Sequence, residues 1–246
     1  MKKIIKYLFL LTGGSFILAS CNDFLDREPL DSVTPDNFFF TENDLAAYAV
    51  KHYNFTTHEG FNAGIWKNDN ATDNQAATDY DKKWIPGQWK VPEAYDNPAS
   101  NDPWYFSAIR EANYFLETVV PRFEKGEIEG SETNIKHYIG EMYFLRAKNY
   151  LSKLETFGDF PIIKNTLPDE SESLIQASKR APRYKVAHFI LEDLDQAISL
   201  LTNNISGGKN RITKNAALLL KSRAALFEAS WLTYHRGTAL VPGGSG

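Results

Sequence analysis

A single cysteine, Cys21, occurs in 246 residues, so no intrachain disulfide can form and a cysteine-rich zinc site is excluded. Histidine is also sparse. His52, His58, His137, His188 and His235 fall in no His-x-x-x-His or His-Glu-x-x-His spacing of the kind that sets two imidazoles on one helix face. There is no Gly-x-Ser-x-Gly elbow and no phosphate-binding glycine loop. Basic excess is missing too: 27 Lys and Arg face 31 Asp and Glu, a net charge of −4, which speaks against a dedicated nucleic-acid binder. Apolar mass is not lacking. Hydrophobic residues make up 43% and charged residues 24%, enough to offset the ordering entropy of a folded chain. The length fits one large or two small domains.

The first twenty residues read as an address. Met1–Lys6 is basic, and Tyr7–Ala19 is an apolar run of 13 residues, too short for the roughly 20 that span a bilayer. This is the pattern of an exported signal peptide. Leu18-Ala19-Ser20-Cys21 follows and resembles the lipobox of bacterial lipoproteins, in which small residues admit the peptidase and the cysteine is acylated. Several acyl chains anchor stably where one is marginal. The expectation is a leader over 1–20, a lipid-anchored tether over 21–34 starting at Cys21, and a mature chain with 24 basic and 31 acidic residues. Asp23, Asp26 and Glu28 resemble the surface-export signal of Bacteroidetes lipoproteins.

The rest, 35–246, reads as helices with one long irregular segment. Thr34-Pro35 opens a short helical turn. Thr41, with Asp44 three residues on, predicts a capped helix to about Tyr53. From 54 to 103 no period is sustained, and the stretch is rich in Asn, Asp, Gly, Pro and Trp; a segment of this kind inside a domain is often functional. Four amphipathic helices then follow from the i, i+3, i+4, i+7 spacing: 104–123, 132–157, 183–202 and 213–234. Pro182 marks the start of the third and Thr213 the cap of the fourth. Gly140 and Ala147 lie on the apolar stripe of the second, where small residues admit a close neighbour. The fold class is therefore all-α, with tetratricopeptide-like hairpins. The strict repeat of about 34 residues is absent, and the connection 158–182 is an insertion, so the solenoid is irregular.

Several of these blocks resemble the SusD/RagB family of nutrient-binding lipoproteins. The residues that carry the resemblance are Cys21-Asn22-Asp23-Phe24-Leu25-Asp26, Thr34-Pro35-Asp36-Asn37-Phe38-Phe39, the helix from Trp104 through Ala112-Asn113-Tyr114-Phe115-Leu116-Glu117, Glu141–Ala147, Phe157-Gly158-Asp159-Phe160-Pro161, and Ala216–Ala225. The resemblance implies a SusD-like helical fold, a place at the outer membrane, a glycan ligand, and a SusC-like TonB-dependent transporter as partner. It implies no cofactor and no chemistry on the ligand. The RagB side of the family implies a peptide ligand as the alternative, and a structural adaptor of the transporter is a further one. Family members are longer, so the expectation is a chain truncated at its C-terminus, or one whose last residues, Gly243-Gly244-Ser245-Gly246, are a linker.

Candidate site residues come from the irregular segment. Asp69, Asp73, Asp79 and Asp81 cluster there without EF-hand spacing. Two such carboxylates could serve a glycosidase, but solvated loop acids are the commoner case, and no metal is expected. Four of the five Trp lie at 66, 84, 89 and 104. Trp104 opens a helix and reads as packing. Trp84 and Trp89 flank Ile85-Pro86-Gly87-Gln88, a turn-like stretch. A flat aromatic face can stack on the C–H face of a sugar, and Asp or Asn can take the hydroxyls. Trp84 and Trp89, with Trp66, Asp73, Asn74 and Tyr95, are the candidate ligand contacts; packing within the loop is the competing role. Asn113 and Arg146 on the helical stripes are expected to bond neighbouring helices, since buried polar groups need partners.

Overall fold

The computed structural model describes residues 38–53, 55, 104–205 and 210–241. The described helices, all in the unit that begins at Phe39, are α1 (Glu42–Lys51), α2 (Ser107–Glu124), α3 (Glu132–Phe157), α4 (Ser171–Ala177), α5 (Arg183–Leu200) and α6 (Lys214–His235). Among the described residues there is no strand, only single bridges such as Phe160–Ala181. The structure is all-α, as the periodicity requires.

Helix starts follow local chemistry. The Thr41 hydroxyl accepts from the Asp44 backbone N–H, and the Asp44 carboxylate accepts from the Thr41 N–H at 3.0 Å. This reciprocal pair satisfies donors that the first turn leaves open. Thr213 likewise accepts from Ala216 N–H. Pro182 stands at the start of α5, where a missing N–H costs nothing. The short turn expected at Thr34-Pro35 lies outside the described residues.

α3 is the centre. It packs against α1, α2 and α5, while α6 lies on α5 and barely reaches α3. Sandwiched between partners, α3 buries far more than one stripe: Tyr138, Phe144, Leu145 and Leu151 join Ile135, Ile139, Met142, Tyr150 and Leu154. Gly140 sits where α5 ends. A Cβ there would stand 3.0 Å from Leu201 Cγ and 3.1 Å from Leu200 Cβ, so the small residue does admit the neighbour. Ala147 is fully buried.

Two features depart from the periodic reading. The insertion 158–182 contains α4, a short helix with no buried residue. α6 has the expected length but buries only Ala217, Ala224 and Glu228, and leaves Leu218, Leu219 and Leu226 exposed.

Phe39 ties the N-terminus of α1 to the core. It adopts φ +69°, a left-handed conformation rare for a bulky residue. Its fully buried ring meets Tyr48 and Phe115 edge-on at 5.1 and 5.3 Å, and this packing holds the backbone there.

Candidate functional site

The predicted contacts Trp66, Asp73, Asn74, Trp84, Trp89 and Tyr95, and the predicted lipidation site Cys21, lie outside the described residues. The structure does place the residues that bracket the aromatic segment. Phe55 follows α1, with the Lys148 ammonium of α3 5.3 Å from its ring centre. Trp104 precedes α2. Its ring stacks on Phe157 at 4.0 Å, and the Arg180 guanidinium stands 5.4 Å over it. Trp104 therefore has the packing role expected of it.

Two clefts flank the first half of α2, on opposite faces. The first, about 380 Å³, is almost wholly apolar and is bounded by Trp104, Phe106, Ile109, Ile163 and Leu174, with Arg110 at its wall. Behind two of its lining residues, Asn113 and Ile163, lies a buried polar network. Arg146 donates to Asp193 through Nε and Nη2, both at 2.7 Å, and through Nη1 to Asn113 Oδ1 at 2.9 Å. Asn113 passes the bond on, its Nδ2 donating to the Ile163 carbonyl at 2.9 Å. The Tyr150 hydroxyl accepts from Ile163 N–H at 2.8 Å. Burial pushes that phenol up to about 12. The network fixes 161–165 over α2 and α3. Asn113 and Arg146 therefore bridge neighbouring elements, the role expected of them.

The second cleft, about 310 Å³, lies beside the end of α1 and is polar at its rim, with Lys51, His52, Glu111, Lys148 and Asn149 around Met142 and Leu145. His52 Nδ1 stands 3.2 Å from Glu111 Oε2, and the imidazole side chain is 10% exposed. Burial holds the His52 pKa below its usual value, more than the Glu111 carboxylate raises it. Burial also lowers the pKa of Lys148. Sequence reasoning counted His52 among scattered histidines and did not single out Glu111. The two are far apart in the chain, and no local spacing announces the pair.

Elsewhere, buried charges join helices. Arg183 donates to Glu228 at 2.7 Å with its guanidinium 4.1 Å over the Trp231 ring. Arg211 is paired with Glu141, whose Oε1 also takes the bond of His137 Nε2 at 3.1 Å. Among the described residues no group of three or more His, Cys, Asp or Glu could hold a metal, and no helix is long and apolar enough to cross a membrane.

With this frame in place, comparison with known proteins defines the class. Residues 23–226 match the SusD-like family described as starch-binding and associating with the outer membrane. The chain belongs to this SusD-like family of carbohydrate-binding proteins. Among similar proteins, SusD-like protein P38 of Formosa agariphila is 27% identical over 203 residues, 80% of this chain and 37% of that protein. SusD-like protein P25 of the same organism is 23% identical over 243 residues, 94% of this chain and 44% of that one. The crystal structure of a SusD-like protein from Bacteroides fragilis superposes with a TM-score of 0.61 at 25% identity, covering 83% of this chain and 38% of that one. The chain thus spans less than half the length of these relatives.

Proposed function

We propose that this chain is part of a glycan-binding lipoprotein of the outer membrane that captures oligosaccharide at the cell surface and passes it to a SusC-like TonB-dependent transporter. The observation that carries the reading is the family match across residues 23–226, on a helical frame like that of the Bacteroides fragilis protein. Binding, not catalysis, is the proposed activity, with no cofactor.

In this reading Cys21 carries the lipid after removal of residues 1–20, residues 21–34 are the tether, and 35–246 form the ligand-binding helical domain. Trp84 and Trp89 supply the flat face on which a sugar ring stacks, and Trp66, Asp73, Asn74 and Tyr95 add contacts. Among the described residues, the cleft bounded by Trp104, Phe106 and Ile109 has the apolar wall and few polar groups typical of ligand sites.

Titration calorimetry against starch, laminarin and mannan oligosaccharides tests the binding. Heat with at least one supports the reading. No heat with any of the three, together with sugar release in the mixture, would replace it by a glycosidase. For the anchor, mass spectrometry of the N-terminus from cells should find an acylated Cys21, and Cys21→Ser should leave the protein unanchored.

A further inference from the structure

We infer that the outward face of α6 seats a further helix of the same polypeptide, one with an apolar stripe and a carboxylate at its edge, supplied by the part of the relatives' length that this chain does not span.

α6 has the make-up of a buried helix. Its buried residues, Ala217, Ala224 and Glu228, lie on one side, and Glu228 pairs there with Arg183 of α5. On the opposite side Leu219 and Leu226 are 72% and 69% exposed. Ser222, Ala225 and Ala229 are exposed with them, and from 218 to 229 the one exposed charge is Arg223. A helix that is apolar all round belongs between neighbours. α3 has such neighbours, α1, α2 and α5, whereas α6 lies on α5 and scarcely touches another described helix. A contiguous apolar face left in water marks a surface that another element covers.

The spacing identifies that element as a helix. Leu219, Ser222, Leu226, Ala229 and Thr233 follow one another at intervals of three and four, the seam along which one helix packs on another. Large and small residues alternate on it. Leu219 and Leu226 are knobs, and Ser222 and Ala229 leave room for the knobs of a partner. Gly140 of α3 gives room of this kind to Leu200 and Leu201 at the end of α5.

The occupant follows from the order of packing. α2 lies on α3, α3 on α5 and α5 on α6, so each of these long helices packs on the long helix before it. In stacks of this kind a helix is covered by the next one in the chain. α6 ends in a compact turn: Gly237, at φ +76°, gives its N–H to the Val241 carbonyl at 3.2 Å, and Thr238 N–H bonds the His235 carbonyl at 3.0 Å. Short connections join antiparallel helices. The relatives have the length to supply one, since this chain spans 37% of SusD-like protein P38 and 44% of P25. Arg223 at the edge of the seam selects a carboxylate on the facing helix. A second copy of the chain fits less well. An antiparallel pair about the middle of this stripe brings the two Arg223 guanidiniums to the same side of the seam, where like charges repel.

The test is made on the protein as its own cells produce it, with the photocross-linker benzoylphenylalanine at position 226. Irradiation should join that position to a helix C-terminal to α6 in the same polypeptide. The product keeps the mass of one polypeptide in electrophoresis, and mass spectrometry of its peptides locates the link. A product of doubled mass, a link to a different protein, a link confined to α1–α6, or no link would overturn the inference. Leu226→Ala gives a second reading. A covered leucine should lower the melting temperature by about 2–4 °C when truncated, and one left in water should not move it. An unchanged melting temperature would also overturn the inference. Neither outcome bears on glycan binding, which calorimetry tests separately.

Discussion

Arg146 of α3 and Asp193 of α5 meet in a two-pronged ion pair, Nε to Oδ2 and Nη2 to Oδ1, both at 2.7 Å and with both side chains under 10% exposed. The planar guanidinium matches the carboxylate geometry. Its third nitrogen, Nη1, reaches Asn113 on α2, so one side chain links three helices. Removing one partner strands the other charge in a dry interior, whereas removing both does not. Asp193→Ala should therefore cost about 3–5 kcal/mol. Arg146→Met combined with Asp193→Leu should recover most of that loss, measured by urea unfolding. A double variant as unstable as the single one would contradict the assignment.

The turn before α3 depends on Gly130. Its φ is +131°, and a Cβ there would stand 2.7 Å from Cβ and Cγ of Glu42, whose carboxylate takes the Ser131 N–H at 2.7 Å. Gly126 also has a positive φ, +71°, but no atom lies within 4 Å of a Cβ built there. Gly126→Ala should cost about 1 kcal/mol of backbone strain, and Gly130→Ala about 2–3 kcal/mol because a contact must also give way. Thermal unfolding of the two variants side by side gives the comparison.

How much of this was legible in the chain follows from where the determining contacts lie. Thr41 and Asp44 are three residues apart, and their reciprocal capping could be read directly. So could Thr213, and Gly140 as the place where a neighbour comes close. The all-α class and the long helices follow from spacing within single segments. α4 could not be foreseen, because it buries nothing and so imposes no period. The wide burial of α3 comes from partners on several sides, which a one-stripe reading misses. α6 shows the reverse: its apolar residues outnumber those that α5 covers, and Leu219 and Leu226 stay exposed. Of the candidate site, Trp104, Asn113 and Arg146 have the packing and bridging roles expected of them. His52 and Glu111 form a pair that only the tertiary fold creates.

The His52 pair also sets a pH dependence of stability. Burial lowers the folded-state pKa below the unfolded value of about 6.5. Between the two values the unfolded chain binds more protons, so stability rises with pH and is lost as pH falls through that window. The wild type should gain stability from pH 5 to 7, by at most about 1.4 kcal/mol per pH unit from this group. His52→Gln should show a shallower rise in denaturant titrations at the two pH values. An identical slope would mean that His52 titrates as a free histidine.

In the proposed function the chain holds a glycan on an aromatic face supplied by residues 54–103. The most direct measurement is calorimetry of wild type, Trp84→Ala and Trp89→Ala against whichever of the starch, laminarin or mannan oligosaccharides binds, with melting temperatures recorded alongside. Loss of one stacking face should weaken binding by about 1–3 kcal/mol, the scale of burying a large apolar side chain, with the melting temperature nearly unchanged. Full affinity in both variants, or a stability loss of several kcal/mol without a binding defect, would contradict the account.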